Sequence, residues 1–191
     1  MLDYTGRVKV PFRHRFWRWF YDHTAFAYDH ILHLADQLHL GSEERIRRQV
    51  LATLPVTAGV PVLDLGCGTA SSRYYLPADI SYIGVDVSRG MLVRARVKCA
   101  ALGRSAYLVQ ADAQALPFAT GTMGTTLAMG ILQHVSDTSR AISETLRVAK
   151  PGGQLLLIDE RRAQARVLRA VQRRTPQIKM VGEYFVLILT P

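Results

Sequence analysis

Three carboxylates, Asp64, Asp86 and Asp112, each lie in or just after a short apolar run. The first sits in Val62-Leu63-Asp64-Leu65-Gly66-Cys67-Gly68-Thr69-Ala70, which reads as a strand that opens into a glycine turn. The two glycines let a ligand reach the backbone at the carboxyl end of that strand. A turn built for phosphate does not carry an acid just before it, because the two charges repel. A ligand that bears positive charge suits the position instead. Asp86 ends the next apolar run, about 20 residues beyond the turn, where one side chain can accept from both hydroxyls of a ribose. Its plainer role is an acid at a helix N-terminus. Asp112, in Gln110-Ala111-Asp112-Ala113, is placed to accept from an adenine amino group or to be a surface loop acid.

The dinucleotide fingerprint G-x-G-x-x-G does not fit, because Ser71 stands where the third glycine is required. S-adenosylmethionine, with its ammonium and sulfonium, agrees better with the acid before the turn than a pyrophosphate does. His134 follows the expected fourth strand, and histidine can take a proton near neutral pH. It is a candidate base on the acceptor side, or else a residue that only shapes the loop. Cys67 and Cys99 have no metal-ligand spacing and read as small buried residues.

From residue 60 onward, strand-like and helix-like segments alternate. Strands are expected at 61–65, Ile80–Asp86, Ala106–Gln110, Thr125–Met129 and Gln154–Asp159. A short helix is expected over Ala70–Leu76, and a longer one runs from the Ser88 cap to about Leu102, stopped by Gly103. Another follows a cap at Ser136 or Asp137 and ends at Pro151-Gly152-Gly153. Runs such as Leu155-Leu156-Leu157-Ile158 do not alternate in polarity, as expected of strands covered on both faces. The pattern predicts an α/β fold, a doubly wound sheet with ligands at the carboxyl ends of its strands. An arginine-rich helix over about Glu160–Arg174 precedes Gln177–Val181 and Tyr184–Thr190, which only Gly182 and Glu183 separate. That spacing predicts an antiparallel hairpin, with the apolar Tyr184–Leu189 inside the sheet. Residues 1–59 read as helices that cover the active site, and residues 60–191 as the core domain. Among the former, Ile46, Val50, Leu51 and Leu54 repeat at helical spacing after Ser42.

The chain has 191 residues, enough for one domain with a real core, and 49% of them are hydrophobic. No apolar run reaches the length of a membrane span or a signal-peptide core, so the expected location is the cytoplasm. The formal net charge is +9, a balance that favours acidic partners. The arginines are spread along what read as solvated helix faces, so charge alone does not argue for nucleic acid.

Over residues 60–160 the chain resembles the class I S-adenosylmethionine-dependent methyltransferases, in the small-molecule branch called methyltransferase type 11. The resemblance rests on VLDLGCGTA (62–70), YIGVDVS (82–88) with Met91, ADAQALPF (111–118), ILQHV (131–135) and LRVAKPGGQLLLIDE (146–160). It implies a seven-stranded Rossmann-like sheet with its last strand antiparallel. Residues 21–29 add a YDxxAxxYD pattern that looks like the entry segment of quinone-pathway C-methyltransferases and phospholipid N-methyltransferases. The resemblance implies that Asp64 meets the methionine ammonium, directly or through water. Gly66, Cys67 and Gly68 would form the turn against the cofactor, and Asp86 would hold the ribose. Val87 and Met91 would flank the adenine, Asp112 and Ala113 would meet its edge, and Met129 and Gly130 would line the methionine end. Tyr28 would reach the same space and touch the cofactor carboxylate.

Two positions depart from the family pattern: Ala70 replaces a loop glycine, and Gly124 stands where an aspartate commonly opens the fourth strand. After that strand the chain reads Met129-Gly130-Ile131-Leu132. It therefore lacks both the Asn/Asp-Pro-Pro-aromatic motif of amino-methylating nucleic-acid enzymes and the Pro-Cys pair of cytosine methylases, and nucleic acid is not the expected substrate. In residues 11–20 aromatics and cations interleave, as in a lid helix that packs on the sheet or a helix that lies on an anionic membrane. The expected function is methyl transfer to a small, amphipathic or aromatic acceptor. A non-catalytic cofactor-binding or partner protein on the same fold is the alternative, and Gly124 is its one support. The atom methylated and the oligomeric state stay open.

Overall fold

A computed structural model describes residues 19–25, 27, 43–52, 54, 56, 57, 59–171 and 176–190. Tyr28 and the aromatic–basic residues 11–18 lie outside the described residues. Seven strands form one sheet: β1 (Val62–Leu65), β2 (Tyr82–Asp86), β3 (Tyr107–Gln110), β4 (Met123–Met129), β5 (Ala149–Glu160), β6 (Gln177–Val181) and β7 (Tyr184–Leu189). Their order is β3-β2-β1-β4-β5-β7-β6. The first five are parallel, while β7 runs antiparallel to both β5 and β6. The helices are α1 (residues 19–25), α2 (Glu43–Leu51), α3 (Ser72–Tyr75), α4 (Arg89–Ala101), α5 (Thr138–Val148) and α6 (Gln164–Ala170).

Strand alternation sorts the apolar residues onto two faces. Leu63 and Leu65 join Ile142 of α5, Val167 of α6 and Phe185 of β7 on one side. Val62, Tyr82 and Leu127 join Ile46 of α2 and Ala95 of α4 on the other. Asp64 falls in register with Val62, so this carboxylate points under α2 and α3 and is only 2% exposed. From β1 the chain goes outward through β2 and β3 and returns on the other side of β1 as β4. The switch point, where the loops after adjacent strands diverge, therefore lies between β1 and β4.

The caps follow the expected chemistry. The Ser88 hydroxyl accepts from the Met91 amide at 3.1 Å, and the Asp137 carboxylate from the Arg140 amide at 3.0 Å. Some elements differ from the sequence reading: α3 spans only Ser72–Tyr75 instead of Ala70–Leu76, and β4 starts at Met123 instead of Thr125. Helix α5 ends at Val148, before Pro151-Gly152-Gly153, and the strand begins at Ala149. Ala149 pairs with Met123 and the register then shifts to Thr125 opposite Gln154, so the glycines form a bulge within β5. Lys150, restricted by the proline after it, could not continue the helix. The arginine-rich segment starts as a short 3-10 turn, Arg161–Ala163, because Glu160 is still held in β5 opposite Tyr184. Ala70 is small enough for its loop but adopts φ +60°, the left-handed region that a glycine would enter without strain.

Gly124 lies at the amino end of β4, where its amide donates to the Pro61 carbonyl at 2.9 Å. A Cβ there would lie 2.1 Å from Cγ1 of Val60, so an alanine would force the Val60 side chain to shift. It stands at the opposite end of β4 from the switch-point loops and gives no support to a non-catalytic reading. Gly124→Ala is expected to lower stability by about 1–3 kcal/mol through overpacking. Adding Val60→Ala should recover most of that loss, and denaturant midpoints with an unchanged slope would check both.

Candidate active site

The loops that leave β1, β2, β3 and β4 at their carboxyl ends enclose one cavity of about 230 Å³. Gly66 and Gly68 line it from β1, Val85 to Val87 from β2, Ala111 to Ala113 from β3, and Met129 to Ile131 from β4. Met91 of α4, Gln133, His134 and Val135 complete the wall together with Tyr21 of α1. Among the described residues the lining holds two aspartates and no lysine or arginine, although the chain carries a net charge of +9. Its field therefore favours a cation and opposes a phosphate.

The glycine turn is shaped by positive φ at Gly66 (69°) and Gly68 (52°). A Cβ on Gly66 would strike Ile131 at 2.6 Å, whereas one on Gly68 or on Gly130 would meet nothing within 4 Å. Both of the latter glycines line the cavity, so their missing side chains leave open room beside bare backbone. The Gly66 and Cys67 amides both donate to the Val85 carbonyl, at 2.8 and 2.9 Å, tying the turn to β2.

Asp86 joins the turn to the next loop. One carboxylate oxygen accepts from the Gly68 amide at 2.9 Å and the other from the Ser88 amide at 2.8 Å. Burial pushes its carboxyl up to about 6, against the pull of those two amides, and the charges of Asp64 and Asp22 add to the rise. Each oxygen has a second lone-pair direction, so the residue can hold the loops and still accept from a ligand. Asp112 accepts from the Gln114 amide at 2.9 Å and from the Gln114 side chain at 3.0 Å. Gln114 in turn accepts from the Ser136 hydroxyl and the Asp137 amide, each at 2.9 Å, so the β3 and β4 loops are tied together as well.

Of the residues singled out from the sequence, the cavity wall brings together Gly66, Gly68, Asp86, Val87, Met91, Asp112, Ala113, Met129, Gly130 and His134. Asp64 and Cys67 stand behind that wall. The Asp64 carboxylate accepts from the Tyr82 hydroxyl at 2.7 Å. Burial raises its pKa, opposed by the Tyr82 and Ser72 hydroxyls and by the Arg47 cation. Cys67 is buried against Gly84, whose Cβ would come within 2.9 Å of its sulfur. Burial also drives its thiol far above the usual range, so it is no nucleophile at neutral pH.

Sequence reasoning did not single out Tyr21, Ile131, Gln133 or Val135 as site residues. The Tyr21 hydroxyl lies 3.3 Å from Nε2 of His134, and the two rings meet edge to face at 5.7 Å between centroids. The YDxxAxxYD pattern begins at Tyr21, which was the available signal. Ile131 and Val135 belong to the quoted ILQHV segment but carry no chemistry of their own that marks them as wall residues.

Residues 63–157 match the family model described as a methyltransferase domain. The chain is similar to a demethylmenaquinone methyltransferase of Renibacterium salmoninarum, 34% identical over 65% of this chain and 51% of that protein. It is also similar to a phosphatidylethanolamine N-methyltransferase of Cereibacter sphaeroides, 32% identical over 68% of this chain and 64% of the relative. The chain spans about half the length of the demethylmenaquinone methyltransferases it matches. Among solved structures, a SAM-dependent methyltransferase from Aquifex aeolicus superposes with a TM-score of 0.65, at 20% identity, over 75% of this chain and 88% of that one. The sheet order, the cavity at its switch point and the family match agree: residues 63–157 carry the methyltransferase domain of the class I S-adenosylmethionine-dependent family.

Proposed function

We propose that this protein binds S-adenosylmethionine in the switch-point cavity and transfers its methyl group to a small hydroxylated aromatic acceptor. The observation that carries the cofactor half is the lining, acidic and free of lysine and arginine among the described residues, within a strongly basic chain. Asp86 would accept from the ribose hydroxyls, and Asp112 with Ala113 would meet the adenine edge. Val87 and Met91 would pack on its faces. The turn at Gly66 and Gly68 and the backbone of Met129 and Gly130 would line the methionine end. Asp64 would act on the ammonium through the turn or an ordered water, since its carboxylate faces Tyr82. When bound, the sulfonium supplies an activated methyl group, and the chain's task is to align the acceptor and exclude water.

The acceptor half rests on the relatives named for demethylmenaquinone and on the wall beside His134. Ile131 and Val135 make that wall apolar, and Tyr21 and His134 place two proton-handling groups in it. A phenolic acceptor must lose a proton as its carbon or oxygen is methylated, and His134 would take that proton.

Calorimetry with S-adenosylmethionine, its demethylated product and NAD tests the cofactor. Binding of the first two and not the third is expected. Tight NAD binding with no response to the sulfonium would overturn the assignment. Asp86→Ala should weaken cofactor binding by about 1–3 kcal/mol.

The pH dependence has a definite sign. Because the Asp86 carboxyl titrates at about 6 in the folded protein, above its ordinary 3.8, the fold binds that proton more tightly than the unfolded chain does. Its contribution to stability is therefore largest at low pH and declines as pH rises from 3.8 through about 6. Cofactor binding runs the other way, since the carboxylate is the accepting form. Affinity should be level above about pH 6 and fall below it. Asp86→Asn should remove that break, as titration calorimetry across pH would show.

His134→Ala should leave cofactor affinity near wild type and reduce turnover of a hydroquinone or phenol by about 10²–10⁴-fold. A rate near wild type across pH would remove the base role and leave His134 as part of the wall.

A further inference from the structure

Helix α1 touches both walls of the cavity through neighbouring residues. Tyr21 reaches the β4 side, where its hydroxyl meets His134. Asp22 reaches the β2 side: one oxygen accepts from the Ser88 hydroxyl at 2.7 Å and from the Gly90 amide at 2.9 Å. Ser88 is shared, because its own amide donates to Asp86 at 2.8 Å. A continuous hydrogen-bonded line therefore runs from Asp22 through Ser88 and Asp86 to the Gly68 amide of the glycine turn. Gly90 makes the approach possible. A Cβ there would lie 2.8 Å from the Asp22 carbonyl oxygen and 2.9 Å from its Cα. These are backbone atoms, so α1 itself would have to move. Ala25, one turn further along, is buried as well, at 3% exposed.

Asp22 is absent from the cavity lining and acts on a ligand through Ser88, through the placement of Tyr21 and through its charge near Asp86. We propose that Asp22 is a positioning residue for cofactor capture: with Gly90 as its seat, it latches α1 across the cavity rim, steadies the Asp86 loop and slows escape of the bound cofactor. This rests on the methyltransferase reading above. A carboxylate that holds two donors at the rim gives the strap one defined closed position, and releasing it lets Tyr21 swing away from His134. A surface contact without that role would fix the helix and leave ligand kinetics unchanged.

Three variants separate these outcomes. Asp22→Ala deletes both bonds, Gly90→Ala forces the same helix away by volume, and Asp22→Asn keeps an oxygen that can accept both. Stopped-flow dissociation of S-adenosylmethionine is expected to quicken by about tenfold in the first two and to return to within about threefold of wild type in the third. In ligand-free protein, hydrogen exchange at the Gly90 amide should rise in Asp22→Ala and stay low in Asp22→Asn, with thermal unfolding showing an intact core. Unchanged Gly90 exchange in Asp22→Ala would overturn the latch whatever the cofactor does. Raised exchange with wild-type dissociation rates would overturn its role in capture. A wild-type protein with no affinity for the cofactor would instead overturn the functional reading and the capture role with it. That failure is distinguishable, because the exchange measurement needs no ligand.

Discussion

Two backbone amides converge on the Asp86 carboxylate, and the rest of the site is arranged around that meeting. The β1 turn and the β2–α4 loop belong to different crossovers and have no covalent reason to keep a fixed spacing. A buried carboxylate that accepts from one amide of each loop sets it. Ionising that carboxyl in a poorly hydrated place is costly, and backbone dipoles rather than a basic side chain offset part of that cost. A lysine or arginine beside Asp86 would have settled its charge more simply, but it would also have repelled a cationic ligand.

The same economy shows in how charge is distributed. Among the described residues the lysines and arginines stand away from the cavity at the sheet's switch point, whose charged lining is two aspartates. Arg73, the largest fully buried side chain among the described residues, meets its hydrogen-bonding needs with carbonyl oxygens of Pro77, Ala78 and Ser105, and its guanidinium lies 5.8 Å from the Tyr82 ring centroid. Tyr82 donates to Asp64. A buried cation and a buried anion therefore share one tyrosine without pairing directly, and both stay behind the cavity wall.

Much of this was legible in the residues. The turn around Gly66 and Gly68, the strand that ends at Asp86 and the Ser88 cap announce themselves by local chemistry that tertiary context does not alter. The hairpin was readable from Gly182-Glu183 between two apolar runs, and the interior place of β7 from its unbroken hydrophobicity. What resisted reading was non-local. The direction in which Asp64 points depends on strand parity and on which helix covers that face. The start of β5 depends on Met123 pairing with Ala149, and a proline–glycine run looks like a stop whether or not a partner strand waits beside it. Tyr21 is unremarkable until α1 is docked, and Gly124 looks like a defect until Val60 is seen against it.

The antiparallel placement of β7 beside β5 also has a consequence for how the chain is made. β5 is the longest strand, and its run Leu155–Ile158 is fully buried only with β7 in place on its outer flank. During synthesis β5 leaves the ribosome before β7 does, so a nascent chain with the first five strands assembled carries a bare, strongly apolar sheet edge for the time about 25 further residues take to be added, a second or more at ordinary elongation rates. The connecting segment between them is rich in arginine. Those charges are synthesised before β7, and like-charge repulsion between copies discourages two nascent chains from pairing through the edge.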